Sequence, residues 1–169
     1  PDGNYAVTDD GIWEFLIDRI NASAAEKLAR RAGSARTLLI EFSRGGARGY
    51  ADAFATLSDA ILSRAAALYV SVSFDESWRR NLARYDEKRR SGILTHSVPR
   101  EEMERTYGVD DWSRLAPDAS GLLDVRGYRI PYVTMGNEPE STDPCVLGPR
   151  YARALGLAFA LRERRQASR

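Results

Sequence analysis

Two short apolar runs, residues 37–42 (TLLIEF) and 68–74 (LYVSVSF), each lead into a helical pattern, and that alternation most limits what this chain can fold into. An apolar run without polar alternation is the pattern of a strand covered on both faces. Strands separated by helices predict a parallel sheet with helices on both sides. The first run ends in Glu41 and Arg44, and the second leads into a helix carrying Arg79, Arg80 and Arg84. In open α/β sheets the ligand crevice lies beyond the C-terminal ends of the strands, so an acid and several fixed cations are expected at one place. Phosphoryl chemistry uses both, the acid to hold a metal and the cations to spread charge over phosphoryl oxygens. No G-x-x-x-x-G-K-[ST] phosphate loop occurs in the chain.

The remaining pattern fills in a single α/β domain over residues 1–169, with 89–128 as a lid-like insert and 164–169 as a basic tail. Residues 1–8 are polar and extended in character. Thr8, Asp9 and Asp10 offer caps to a helix whose apolar stripe is Ile12, Phe15, Leu16, Ile20 and Leu28, with Gly33 as its stop. A second helix is predicted over 50–66, with Tyr50, Phe54, Leu57, Ile61 and Leu62 inward. Asp75 is placed to cap a third, whose buried stripe is Trp78, Leu82 and Tyr85. The pattern lapses into a loop over 89–97, and Pro99 then opens a short acidic helix over 100–107. Segments 122–125 and 128–135 flank Arg126-Gly127 and read as a hairpin. A polar loop over 136–144 precedes a last helix over 149–165, with Leu147, Tyr151, Leu155, Ala158 and Leu161 on its apolar face.

Charge and cysteine usage narrow the partners. The formal net charge is +1, so no global field draws nucleic acid or an anionic membrane, and no apolar run approaches the roughly 20 residues of a membrane span. Cys145 is the only cysteine; it reads as a small filler, and an intracellular, cytoplasmic setting with a small-molecule substrate is the expectation. One His and one Cys cannot build the usual Cys/His zinc site. A Ser-His-Asp triad could run only through His96, and no serine lies in a G-x-S-x-G context.

Taken in order, residues 37–165 resemble the later part of P-loop kinases of the nucleoside-monophosphate kinase type. In that family a strand ends in an acid, a turn and an Arg, and a helix follows; here Glu41, Arg44 and Tyr50-Ala51-Asp52-Ala53 stand in that order. The family continues with a strand, a capped helix and an arginine-bearing lid, matched by residues 70–75, by Arg79, Arg80 and Arg84, and by Arg89 and Arg90. Its final strand ends in a base-binding loop before a terminal helix, matched by Met135-Gly136-Asn137 and the helix from Pro149. The resemblance implies a three-layer αβα fold with a mostly parallel sheet. It implies ATP or another nucleoside triphosphate with Mg²⁺, and transfer of the γ-phosphoryl group to a small acceptor. The family's first strand, which lies between its third and fourth, is absent along with the phosphate loop, so this sheet would lack its centre. Buried backbone groups left unpaired there would cost about 1–3 kcal/mol each. The chain opens at Pro1 without Met, and the expectation is that further residues precede it or that another segment fills the gap.

Under the resemblance Glu41 orients Mg²⁺ through water or acts as base; alone, it reads equally as a carboxylate paired with Arg44. Arg44 grips an anionic substrate, with Arg48 beside it and Gly45, Gly46 and Gly49 allowing close backbone approach; the plain reading is a solvated loop. Arg79, Arg80, Arg84, Arg89 and Arg90 form the lid that neutralises a transferring phosphoryl group, or a solvated face pairing with Asp86 and Glu87. Gly136 and Asn137 bind the base edge or close a turn. Trp13, Trp78 and Trp112 read as core, Trp112 least clearly because Asp110-Asp111 precede it. Besides the phosphotransferase, a catalytically inactive nucleotide- or partner-binding module of the same fold stays open.

Overall fold

A two-residue connection closes a hairpin most readily when both residues take positive φ, and Arg126 and Gly127 do so, at 51° and 81°. In the computed structural model, which describes residues 11–30, 37–92 and 98–167, this turn joins β2 (Ser120–Val125) antiparallel to β3 (Tyr128–Gly136). β1 (Ala67–Ser71) lies parallel to β3 on its other side, in register from Ala67↔Tyr132 to Ser71↔Gly136. The sheet is therefore mixed and three-stranded, in the order β1-β3-β2. Pro131, a residue without an N–H, sits in the central strand. The ladder to β1 starts one residue later, so this position lies outside the parallel pairing.

Alternation along β3 divides the core. Val133 and Met135 face α7 (Pro144–Ala167), meeting Ala154 and Ala158 with Leu68 and Leu161 at the margin. Ile130 and Tyr132 face the opposite way, into the larger core. That core is built by Ile17 and Ala24 of α1 (Gly11–Ala29), by Ala53 and Phe54 of α2 (Gly49–Thr56) and by Ile61 and Leu62 of α3 (Asp59–Leu62). Trp112 of α6 (Trp112–Leu115) sits among them. Ile17, Leu62 and Ile130 are fully buried, each contributing about 1.5–3 kcal/mol over the exposed state. α4 (Phe74–Arg90) and α5 (Arg100–Tyr107) complete the chain. They meet where the Arg100 guanidinium lies over Phe74 and Trp78 and pairs with Asp75 at 3.5 Å. Among the described residues no helix is long and apolar enough to cross a membrane.

Several expectations need correction. Residues 37–42 form no strand; they run with Leu38, Ile40 and Phe42 packed on the core while Leu39 is 87% exposed. Only one face is covered, and no strand among the described residues pairs with the segment. The helix expected over 50–66 is two helices. Leu57 and Ser58 are extended between α2 and α3, because the Asn21 amide takes over the backbone there. Its Nδ2 donates to Thr56 O at 2.9 Å and its Oδ1 accepts from Ser58 N at 2.8 Å. α4 is capped by Ser73, whose Oγ accepts from Glu76 N at 3.3 Å, and not by Asp75. No residue of α4 is fully buried, so Trp78, Leu82 and Tyr85 line a half-covered face.

The apolar faces of the outer helices also differ from expectation. α1 buries Ile17 and Ala24 and leaves Ile12, Phe15 and Leu16 exposed. α7 begins at Pro144 and contains Pro149; it buries Ala154 and Ala158, and leaves Tyr151 and Leu155 outward. Small side chains let it lie close on β3. Cys145 is exposed and fills nothing. The extended lead at 1–8, the caps at Thr8, Asp9 and Asp10, the stop at Gly33, His96 and the last two tail residues lie outside the described residues.

Asn21→Ala leaves the Thr56 carbonyl and the Ser58 N–H without these partners. The expected loss is about 1–3 kcal/mol of stability, read as a lower midpoint in urea denaturation.

Candidate functional site

The tripeptide Asp110-Asp111-Trp112 lies beneath the site and holds its floor, which Tyr50, Tyr69 and Asp110 line. Asp111 is 3% exposed, and its carboxylate accepts from Tyr50 N at 2.8 Å and Ala51 N at 3.0 Å. It supplies the cap that Arg48, at the N-cap position of α2, does not. Asp110 turns the other way. Its Oδ1 accepts from Trp112 N at 2.9 Å and its Oδ2 from the Tyr69 hydroxyl at 2.6 Å. The Trp112 indole donates from Nε1 to Thr134 Oγ1 at 2.8 Å and stacks on Tyr69, with ring centres 4.6 Å apart. Tyr50 meets both rings edge-on, at 5.7 and 5.8 Å. Burial, then the bond to Asp110, pushes the Tyr69 hydroxyl well above the ordinary phenol range, and burial raises Tyr50 as well. Both hydroxyls stay protonated at neutral pH.

Above this floor opens a cleft of about 880 Å³ at the C-terminal ends of residues 37–42 and of β1. Glu41, Arg44, Arg80 and Arg84 all line it, so the four residues given catalytic roles from the sequence come together. Tyr50, Tyr69, Asp110 and Glu140 join them there.

Arg44 is 7% exposed. Its Nη2 donates to Trp13 O at 2.7 Å, and its guanidinium lies 4.8 Å from the Trp13 ring centre. Trp13 is thus a platform for the cation as well as an apolar residue. Burial lowers the Arg44 pKa, with Tyr107 and Tyr50 opposing, yet a guanidinium stays charged at any ordinary pH. It has no carboxylate partner among the described residues, so the expected alternative, a pair with Glu41, is not made. Glu41 itself is exposed at the cleft. Arg84 is exposed, donates from Nε to Arg80 O at 3.3 Å, and likewise meets no carboxylate among the described residues.

Arg80 is held differently. Its side chain is 14% exposed and pairs with Glu76 at 2.9 Å and Glu140 at 3.5 Å, while Nη2 donates to Asn137 O at 2.6 Å. Arg79 also grips Glu76 and Glu140, at 2.6 and 2.8 Å. The acids that neutralise this pair are these two, and not Asp86 and Glu87.

Other candidates fall outside the cleft. Arg48 pairs with Asp52 at 2.7 Å and lines a smaller cavity of about 360 Å³ on the far side of Arg44. Arg79, Arg89 and Arg90 do not line the cleft, and the last two are exposed near the C-terminal end of α4. Gly136 closes the β1 ladder, and Asn137 N donates to Ser71 O at 2.9 Å. Neither lines the cleft; Asn137 serves it by fixing Arg80. Gly45 permits a close approach to the protein's own backbone, since a Cβ there would lie 1.8 Å from Thr106 O. Gly46 takes φ +86° and donates to Val109 O at 2.7 Å, tying this loop to the end of α5.

Sequence reasoning missed Tyr50, Tyr69, Asp110 and Glu140. The available signals were two adjacent acids before a tryptophan, and a Glu-Pro-Glu in a loop beside a helix rich in arginine.

Arg79 and then Arg80 hold the Glu76 carboxyl down to about 2, from an ordinary 4.5. A depressed acid stabilises the fold above its unfolded pKa and loses that contribution as pH falls through the folded one. A carboxyl-detected NMR titration is expected to show Glu76 ionised at pH 3 and the ion pairs releasing only near about pH 2, while their contribution to stability fades between about pH 4.5 and 2. No family model, curated protein or solved structure matches the chain, so what the site can do is argued from its own geometry.

Proposed function

We propose that the chain is part of a nucleotide-dependent small-molecule phosphotransferase of P-loop kinase-like build. One observation carries this reading: Glu41, Arg44, Arg80 and Arg84 line a single cleft at the C-terminal ends of residues 37–42 and β1. That is where an α/β sheet receives its ligand. Arg44 and Arg84 have no carboxylate partner among the described residues, and such cations suit phosphoryl oxygens. Buried Arg44 holds the anionic substrate, and exposed Arg84 reaches over it. Glu41 serves the metal through water or takes a proton from the acceptor hydroxyl.

The donor set fits one phosphoryl group with ATP or another nucleoside triphosphate and Mg²⁺ only in part. Among the described residues no three His, Cys, Asp or Glu side chains gather as a metal cage, so Mg²⁺ would rest on Glu41, water and the phosphates themselves. When bound, it would neutralise charge developing on the phosphoryl oxygens. The backbone cradle for a triphosphate is not among these 169 residues, and the reading requires it from elsewhere in the gene product. On the same reading the three-stranded sheet is part of a larger, mostly parallel one.

A second reading has its own support. Because Glu76 and Glu140 already neutralise Arg79 and Arg80, the fold suits a nucleotide- or partner-binding module without catalysis.

The deciding experiment follows phosphoryl transfer from labelled ATP to nucleosides, sugars and small acids in the full gene product. Arg84→Ala is the probe of choice, because burial of Arg44 couples that side chain to stability. Arg84→Ala is expected to lower kcat/KM by about 10²–10³ with an unchanged unfolding midpoint; unaltered kinetics would remove Arg84 from the site. Nucleotide binding without turnover on any acceptor would favour the module.

A further inference from the structure

We propose that Glu140 is a built-in anion that occupies the Arg79–Arg80 pair until a phosphoryl group displaces it, an inference that rests on the reading of the cleft as a phosphoryl site. The loop between β3 and α7 carries two carboxylates to the start of α4. Glu138 accepts from the Ser73 backbone N–H. Glu140 Oε2 lies 2.8 Å from Arg79 Nη2 and 3.5 Å from Arg80 Nε. An amino end of a helix with two guanidiniums beside it is a place for a multiply charged anion, and here the chain fills it with its own side chains.

The two acids on the arginines are not equivalent. Glu76 is 16% exposed, lies on the same helix and bonds both guanidiniums, so it is their permanent partner. Glu140 is 43% exposed and reaches them from a loop. The backbone of that loop is held independently of Glu140, by Asn137 N on Ser71 O and by Arg150 on the Pro139 carbonyl at 3.1 Å. Release of Glu140 therefore needs only rotation of its side chain. Glu140 and Arg80 both line the cleft that holds Arg44 and Arg84, so the vacated place opens onto the same cleft as the cations with no carboxylate partner among the described residues. A monoanionic carboxylate gives one charge to two arginines; a phosphoryl dianion gives two charges and three oxygens. The exchange favours phosphoryl ligands over small monoanions and keeps the arginines neutralised while the cleft is empty.

Inorganic phosphate titrated into the 169-residue chain tests this, by calorimetry together with NMR of the arginine Nε–H groups. Glu140→Gln keeps the shape and removes the charge. Glu101→Gln, on an exposed α5 residue that does not line the cleft, is the control for net charge. Expected are phosphate binding about three-fold tighter in Glu140→Gln, the gain set by the strength of a half-exposed ion pair, no change in Glu101→Gln, and phosphate-dependent shifts of Arg79 and Arg80 signals. Equal affinity in the parent chain and Glu140→Gln overturns the displacement and leaves the phosphoryl site standing. Equal tightening by both variants assigns the effect to net charge and overturns it too. Absence of phosphate binding in every form overturns both the displacement and the site on which it rests.

Discussion

Two adjacent carboxylates, turned in opposite directions, hold this structure in register. Asp111 faces the amino end of α2 and Asp110 faces the hydroxyl of Tyr69 on β1. A buried carboxylate is costly to leave unpaired and strong when it accepts two N–H donors. Asp111 therefore fixes where α2 begins, although the helix lies some sixty residues earlier in the chain. Trp112 follows directly and joins the same point to β3 through Thr134. One short segment thus sets the relative positions of a helix, two strands and the aromatic floor of the cleft. Every charged group above that floor inherits its place from this arrangement.

The charges themselves fall into two kinds. Arg79 and Arg80 are saturated by carboxylates from their own helix and from a neighbouring loop. Arg44 is taken out of water against an indole and a carbonyl, without an acid among the described residues. A guanidinium kept in that condition is expensive to bury and inexpensive to satisfy with an incoming anion. The division separates a cation poised for a ligand from cations that first have to give up a partner.

Elements whose signals are local were legible in the sequence. The Arg126-Gly127 turn, the hairpin around it and the helix after Pro99 needed only nearest-neighbour chemistry. Glu41, Arg44, Arg80 and Arg84 do line one cleft as the order of segments suggested, but not for the reason expected, since Arg80 and Arg84 follow a strand while Glu41 and Arg44 lie in and just beyond a segment that pairs with none among the described residues. What was illegible depends on distant partners. The break between α2 and α3 is made by an amide some thirty-five residues away on α1. The roles of Asp110, Asp111 and Trp112 rest on residues in α2, β1 and β3. Residues 37–42 have a strand's composition, but composition cannot supply the neighbour that a ladder needs. On α7 the alanines that face β3 are outweighed, by hydropathy alone, by the leucines that face away.

The outer edge of β1, unpaired among the described strands, bears on what a neighbouring strand would meet there. Ala67-Leu68-Tyr69-Val70-Ser71 contains no charge, no proline and no bulge, and Val70 is exposed. Natural edge strands usually carry one of those deterrents, because a bare row of backbone donors and acceptors templates another strand. The exposed apolar residues of α1 and α7 add surface that favours association. A strand laid along this edge would meet backbone donors and acceptors without a charge, a proline or a bulge to turn it away.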